Sequence, residues 1–363
     1  MAKFCIFCGN TPQNKNAEHV IPQWLINMTG KRSRIMNLET VTDRKISFAS
    51  FTFPACEQCN SEFSAMEAAV KPVIEKILAG QPVNPIELNT LLDWFDKVRV
   101  GLWLGVLQLK GEVEDIKPHM HIKTRVGRKD RMLIVERIDD DQKGIGIAGA
   151  NTSAFLEAPS AFQLRINNYI FTNVSECGMV ARRLGFPFTD RYVMNDLKGL
   201  VTVNNMQAGK GRIVTPVISN FVSPANSFTV YQPMFPAESC GFPKLYVSDF
   251  VQKHSLDADN GVGGIFVQRG SGAANYLGED KTVALTPKIS AENEYMRAVK
   301  LFQLHNYVLT TTYTTRFASD FERRVMDGMN AERIKQNNKR IAMYRQMKDI
   351  VTFGAGQGNV KKK

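Results

Sequence analysis

The sequence predicts an α+β protein in three parts: a small zinc-stabilised N-terminal module, a mixed α/β domain and a set of C-terminal helices. Three observations carry that expectation. Two Cys-x-x-Cys pairs, Cys5/Cys8 and Cys56/Cys59, bracket the start of the chain. Short apolar runs separated by glycine and polar turns fill its middle, and apolar residues return at helical spacing after Ser290. The breaks fall where Gly80, Pro82 and Pro85 cluster and again near residue 290. They divide the chain into 1–80, 81–290, 291–353 and a basic tail, 354–363, expected to be disordered.

At 363 residues and 44% hydrophobic, the chain is long and apolar enough for a sizeable core and two or three domains. Lys and Arg number 46 against 35 acidic residues, a formal charge of +11 that favours polyanionic partners and suits a merely soluble basic protein equally well. Six cysteines are too sparse for a disulfide framework, and four fall in metal-type pairs, so a reducing cytoplasm fits best. Cys177 and Cys240 stand alone and read as small buried side chains. No charged head and apolar run of a signal peptide follows Met1. The most apolar window, Val100 to Leu109, is far short of the ~20 residues of a membrane span. It reads as a buried helix.

In chain order, Phe4 to Thr11 form a turn carrying the first cysteine pair, with Gly9 supplying a permissive backbone. Gln23 to Met28 make one short helix. Ile35 to Val41 and Ile46 to Phe53 alternate around a polar turn as a hairpin whose second strand has an irregular step. That hairpin returns Cys56 to Cys5. Ser61 is the expected N-cap of the next helix, with Phe63, Met66, Val70, Val73 and Ile77 on one face and a kink at Pro72. Ile86 to Leu109 follow as a buried helix with Trp94, Phe95 and Trp103 in the core.

Strands are expected at Met132 to Val135, Gly144 to Ala148, Phe162 to Val174, Leu200 to Val203 and Phe228 to Tyr231. His119 and His121 fit one side of a strand but find no third ligand nearby. Asp139 to Asp141 read as a solvated turn, and the glycines at 261–264 and 270–272 as turns that lack a phosphate-loop ending. Helices are expected from Ala291 to Leu309, with Ser290 as N-cap, and from Phe317 to Ile350, the latter rich in Arg and Lys.

Four thiolates at this spacing suit one tetrahedral zinc, because each pair puts two sulfurs on one tight turn and the ion joins the turns. The alternative is four unrelated buried thiols. Between the pairs lies Glu18-His19-Val20-Ile21-Pro22, and Asn60 follows Cys59 directly. Read in order, these residues and the helix after them resemble the HNH nucleases of the ββα-metal class, in their four-cysteine, endonuclease VII-like branch. The resemblance covers about the first 80 residues. It implies a metal ligand at Glu18, a general base at His19 and a further ligand at Asn60. A hard cation, Mg²⁺ or Mn²⁺, prefers such oxygen donors. A neutral imidazole can take the proton of attacking water.

The sequence departs from the family in having Glu where Asp is commoner, and in placing Asn37, its candidate for the middle residue that orients His19, far ahead of Cys56. Glu62 and Glu67 are secondary candidates on the helix after Asn60. Lys31, Arg32, Arg34, Arg44 and Lys45 are candidate phosphate contacts or simply a solvent face. Residues 1–80 carry only nine basic against seven acidic residues, so affinity is expected to depend on the rest of the chain, read as a targeting, sensing or partner-binding part that takes another protein or a second copy. The leading expectation is a metal-dependent endonuclease acting on DNA, with RNA left open and no membrane partner. A role in phage defence or a mobile element is compatible with it. A zinc-stabilised nucleic-acid-binding protein without cleavage and a structural or assembly protein are the competing expectations.

Overall fold

The computed structural model describes residues 4–30, 34–36, 46–110, 118, 120–150, 152–195, 200–218, 225–236, 248–290, 292, 294–312 and 319–357. The chain begins with strand β1 (Asn16–His19), helix α1 (Gln23–Met28), two short strands β2 (Ile35–Met36) and β3 (Ile46–Ser47), then β4 (Thr52–Ala55) and the long helix α2 (Glu57–Leu78). β1 and β4 pair antiparallel, with Asn16 opposite Ala55 and His19 opposite Thr52. β2 and β3 form a separate small pair.

The expected second hairpin strand is therefore two strands. Between β3 and β4 a 3₁₀ turn, Phe48–Ser50, is closed by reciprocal bonds: Ser50 N donates to Ser47 Oγ (3.2 Å) and Ser47 N to Ser50 Oγ (3.1 Å). The turn lets Phe48, Phe51 and Phe53 all become buried, which strict alternation of one strand would forbid. The start of α2 is also corrected. Its N-cap is Cys56, in extended conformation, and Ser61 lies inside the helix with its hydroxyl donating to the Glu57 carbonyl (3.0 Å). Pro72 sits within a helix assigned without interruption from Glu57 to Leu78.

Strand β5 (Pro82–Val83) leads into α3 (Pro85–Lys110). Asn84 and Glu87 cap its start reciprocally, each backbone N–H donating 2.9 Å to the other side chain. Trp94, Phe95 and Trp103 are fully buried, as their apolar surroundings in sequence predict. After α4 (Ile122–Arg125) come β6 (Arg131–Ile138), β7 (Ile145–Ala148), α5 (Ser153–Glu157), β8 (Ala161–Ile166), β9 (Tyr169–Ser175), α6 (Ala181–Leu184), β10 (Phe188–Asn195), β11 (Leu200–Gln207), β12 (Phe228–Gln232), α7 (Asp249–Lys253), β13 (Ser255–Asp257), β14 (Val262–Gly263), β15 (Ile265–Arg269), β16 (Asn275–Leu277), β17 (Val283–Ala284) and β18 (Ile289–Ser290). The chain closes with α8 (Glu294–Thr312) and α9 (Asp320–Gln357), the latter continuing into the segment expected to be disordered. His121 precedes α4 rather than lying on a strand, and Ser290 ends β18 instead of capping α8.

The main sheet runs β16-β15-β12-β6-β9-β8-β7, with β18 parallel to the end of β6. Its two faces follow the alternation of β6: Leu133 and Val135 belong to the cluster that contains α3, whereas Met132 and Ile134 belong to the one that contains Leu301, Leu304 and Val308 of α8. The sheet is thus covered by α3 on one face and α8 on the other. The expected strand region Phe162 to Val174 is a hairpin, turned at Asn167 with φ 54°. Among the described residues no helix is long and apolar enough to cross a membrane.

One buried apolar cluster runs from Cys5 through α2 and α3 to the sheet. α3 has the N-terminal elements on one side and the sheet on the other. Gly101 and Gly105 open its surface to them: a Cβ on Gly105 would meet Phe51 and Phe53 ring atoms at 2.6 Å, and one on Gly101 would meet Val20 at 3.0 Å. Toward the sheet, α3 carries buried charge. Asp96 and Arg99 pair at 2.6 Å, and Arg131 of β6 binds Asp93, Asn89 and Gln232. Gly105→Val is expected to overpack the contact with Phe51 and Phe53 and cost about 1–3 kcal/mol. Chemical denaturation checks it; unchanged stability would mean the helix and aromatic pair are not in contact.

Candidate functional site

The four paired cysteines converge. Their sulfurs all lie within 4.8 Å of one another, and Cys8 Sγ is 3.9 Å from Cys56 Sγ. Tetrahedral zinc with Zn–S bonds of about 2.3 Å needs sulfurs roughly 3.8 Å apart, so the cluster has the donors and nearly the spacing for one ion. Each turn is shaped for it. Gly9 takes φ 81° just after Cys8, and its N–H donates to the Cys5 carbonyl (2.8 Å). Cys56 N donates to Cys5 Sγ (3.2 Å) and Gln13 N to Cys56 Sγ (3.5 Å), bonds that favour thiolate sulfur.

The electrostatics point the same way. Burial first, then the charges of neighbouring cysteines, push the Cys59 thiol up to about 12. Burial also opposes ionisation of Cys5, but backbone N–H bonds from Cys56, Cys8 and Phe7 hold it below the ordinary thiol value. Four thiolates crowded this closely repel one another unless a cation sits among them. The first turn is braced from outside: Lys123 N donates to the Phe7 carbonyl (2.9 Å), and a Cβ on Gly9 would lie 2.4 Å from the His121 ring. His121 therefore packs on the cysteine turn.

The clamp sets where Glu18, His19 and Asn60 stand. β4 ends one residue before Cys56, so its pairing with β1 fixes the strand that carries Glu18-His19 relative to the second cysteine turn. Asn60 lies in the first turn of α2, its N–H donating to the Cys56 carbonyl (2.9 Å). Its side-chain Oδ1 is buried and finds no hydrogen-bond partner among the described residues. A buried amide oxygen left alone costs about 1–3 kcal/mol and calls for a donor or a cation.

His19 is half-buried. Burial lowers its pKa, while the nearby Ala49 backbone and the charge of Glu67 raise it; the net direction is down, which favours the neutral imidazole. Asn37 lies outside the described residues, as do Lys31, Arg32, Arg44, Lys45 and His119. Arg34 is described: it donates to the Lys143 carbonyl (3.3 Å), bringing the β2 region against the loop before β7.

The residue that sequence reasoning missed is Lys97 of α3. Its ammonium is almost fully buried and binds Glu18 Oε1 at 2.5 Å, and Glu67 as well. Burial works against that charge, but the two carboxylates hold the ammonium above its ordinary value. Of the two secondary candidates, Glu67 shares Lys97 with Glu18. Glu62 is exposed and pairs with Lys123 at 2.8 Å. Among the described residues no three His, Cys, Asp or Glu side chains besides the four cysteines form a metal-binding group. Lys97 is the cation beside the Glu18 carboxylate.

One tightly bound zinc per chain is expected by elemental analysis, with Cys56→Ser losing the ion and unfolding the N-terminal elements; a fully folded, metal-free protein would refute the assignment. Lys97→Met leaves two buried carboxylates without their counter-charge and is expected to cost about 3–5 kcal/mol. Adding Glu18→Gln and Glu67→Gln should restore much of that loss in a urea titration. A harmless single variant would show that the ammonium is not engaged.

No protein-family model, curated protein or solved structure matches the chain, so the functional reading rests on the chemistry of its own residues.

Proposed function

We propose that the chain is an HNH-type endonuclease that hydrolyses phosphodiester bonds in DNA. The observation that carries the reading is the buried Asn60 oxygen, without a hydrogen-bond partner among the described residues, at the start of the helix that follows Cys56, with His19 on the strand that pairs with β4 just before that cysteine. Zinc at Cys5, Cys8, Cys56 and Cys59 is scaffolding in this reading.

His19 accepts a proton from water as the water oxygen bonds to phosphorus and the bond to the leaving 3′ oxygen breaks. Lys97 holds the Glu18 carboxylate in place through a buried ion pair, so Glu18 reaches the site without having to be ordered by substrate. Glu18 and Asn60 would hold Mg²⁺ or Mn²⁺, which when bound supplies positive charge to the phosphate and the leaving oxygen. The excess of basic residues over the chain favours a polyanionic substrate.

A second reading, a zinc-stabilised nucleic-acid-binding protein that does not cleave, is favoured by one observation. The Glu18 carboxylate is already neutralised by Lys97 and is a weaker ligand for a divalent ion than a free carboxylate. Plasmid nicking separates the two. Nicking that requires Mg²⁺ or Mn²⁺ and falls at least about a hundredfold in His19→Ala, the scale of a lost general base, with DNA binding retained, is the expected outcome. Binding without cleavage in any divalent ion would establish the second reading.

A further inference from the structure

α9 is anchored along one side only. Asn330, Arg333, Asn337 and Ile341 are buried there; Arg333 binds Glu157 of α5, and Asn337 Nδ2 donates to Asn306 of α8 (2.9 Å). Roughly a third of a turn away, at 100° per residue, lies a second stripe: Phe321 (66% exposed), Val325 (37%), Met329 (45%), Met343 (42%) and Met347 (39%). These five are among the eight large hydrophobic side chains left exposed in the described chain. They fall at the two ends of the stripe, and its centre is polar: Glu332, Gln336 and Lys339.

From this pattern we propose that α9 forms an antiparallel, two-fold interface with α9 of a second copy of this chain. The stripe is complementary to its own reverse. With the dyad at the level of residue 334, Phe321 faces Met347 of the second copy, Val325 faces its Met343, and Glu332 faces its Gln336. Met329 meets Lys339 of the second copy, whose aliphatic stem covers the thioether while its ammonium reaches solvent. An isologous contact requires this reciprocity, and every pair occurs twice.

Charge chooses the same orientation. Of the charged residues, Glu332 and Lys339 lie on the stripe and Lys335 and Arg324 flank it, whereas Asp320, Arg323, Asp327 and Arg345 lie on the far side of the helix at 100° per residue. Glu332 pairs with Lys335 within its own helix at 3.3 Å. Antiparallel docking with the dyad at residue 334 sets Glu332 between the levels of Lys335 and Lys339 of the second copy. Parallel docking would set each charge on itself, Glu332 on Glu332, Lys335 on Lys335 and Lys339 on Lys339. The contact would run about 40 Å at 1.5 Å per residue.

Sedimentation equilibrium of the full, zinc-loaded chain tests the proposal. A reversible dimer is expected, weakened about tenfold or more by Val325→Asp. The variant changes an exposed side chain, and an unchanged circular dichroism spectrum and melting temperature verify that it folds. Cross-linking tests the direction: the double variant Val325→Cys with Met343→Cys should give peptides that join 325 to 343 across copies, and Val325→Cys alone should give no 325 to 325 link. A monomer at every concentration, a dimer indifferent to Val325→Asp, or self-linking of Val325→Cys would each overturn the proposal. Association of α9 with some other protein while the chain itself stays monomeric would overturn it too.

Discussion

The first sixty residues depend on the convergence of four sulfurs. Taken alone, β1, β4 and the start of α2 are too short to hold one another: the strand pair spans four residues on each side, and such a pair is marginal in water. The cysteine turns replace what packing cannot supply at that length. A metal ion there would contribute folding free energy outright, because its ligands exist as a site only in the folded chain. Glu18-His19 and Asn60 lie on the elements joined by the clamp, so their relative positions are consequences of the same bonds.

The second constraint is α3, which ties this small module to a much larger body. Its glycine face admits Val20, Phe51 and Phe53, its Lys97 reaches Glu18 and Glu67, and its opposite side carries Asp93, Asp96 and Arg99 to the sheet. A buried lysine between two carboxylates is expensive to desolvate and gives little net stability against an apolar substitute. What the ion pair does supply is orientation: it holds the Glu18 carboxylate, which is otherwise free to rotate on a two-carbon stem. The same pairing moderates the negative charge that a divalent ion would meet.

Local features of both fold and site were legible in the sequence. Cysteine spacing, the Glu-His dipeptide and the asparagine after Cys59 are encoded within a few residues, as are the helix of Gln23–Met28, the apolar run of α3 and the strand patterns of the sheet. What was not legible is set by distance along the chain. Lys97 meets Glu18 across 79 positions, and nothing near either residue announces the other. The start of α2 was misplaced because Ser61 has the chemistry of a cap, whereas Cys56, a poor N-cap by propensity, is put there by the geometry of its cysteine turn. The irregular step expected in the second hairpin strand is a 3₁₀ turn that divides it in two and lets three phenylalanines become buried.

The account stands most directly on the fate of one oxygen atom. If His19 activates water for attack on phosphorus, cleavage of duplex DNA in isotopically labelled water should place the label on a 5′-phosphate and leave an unlabelled 3′-hydroxyl, and neither product should form with His19→Ala. A 3′-phosphate product, or intact DNA after incubation of the zinc-loaded chain with Mg²⁺ and with Mn²⁺, would contradict it.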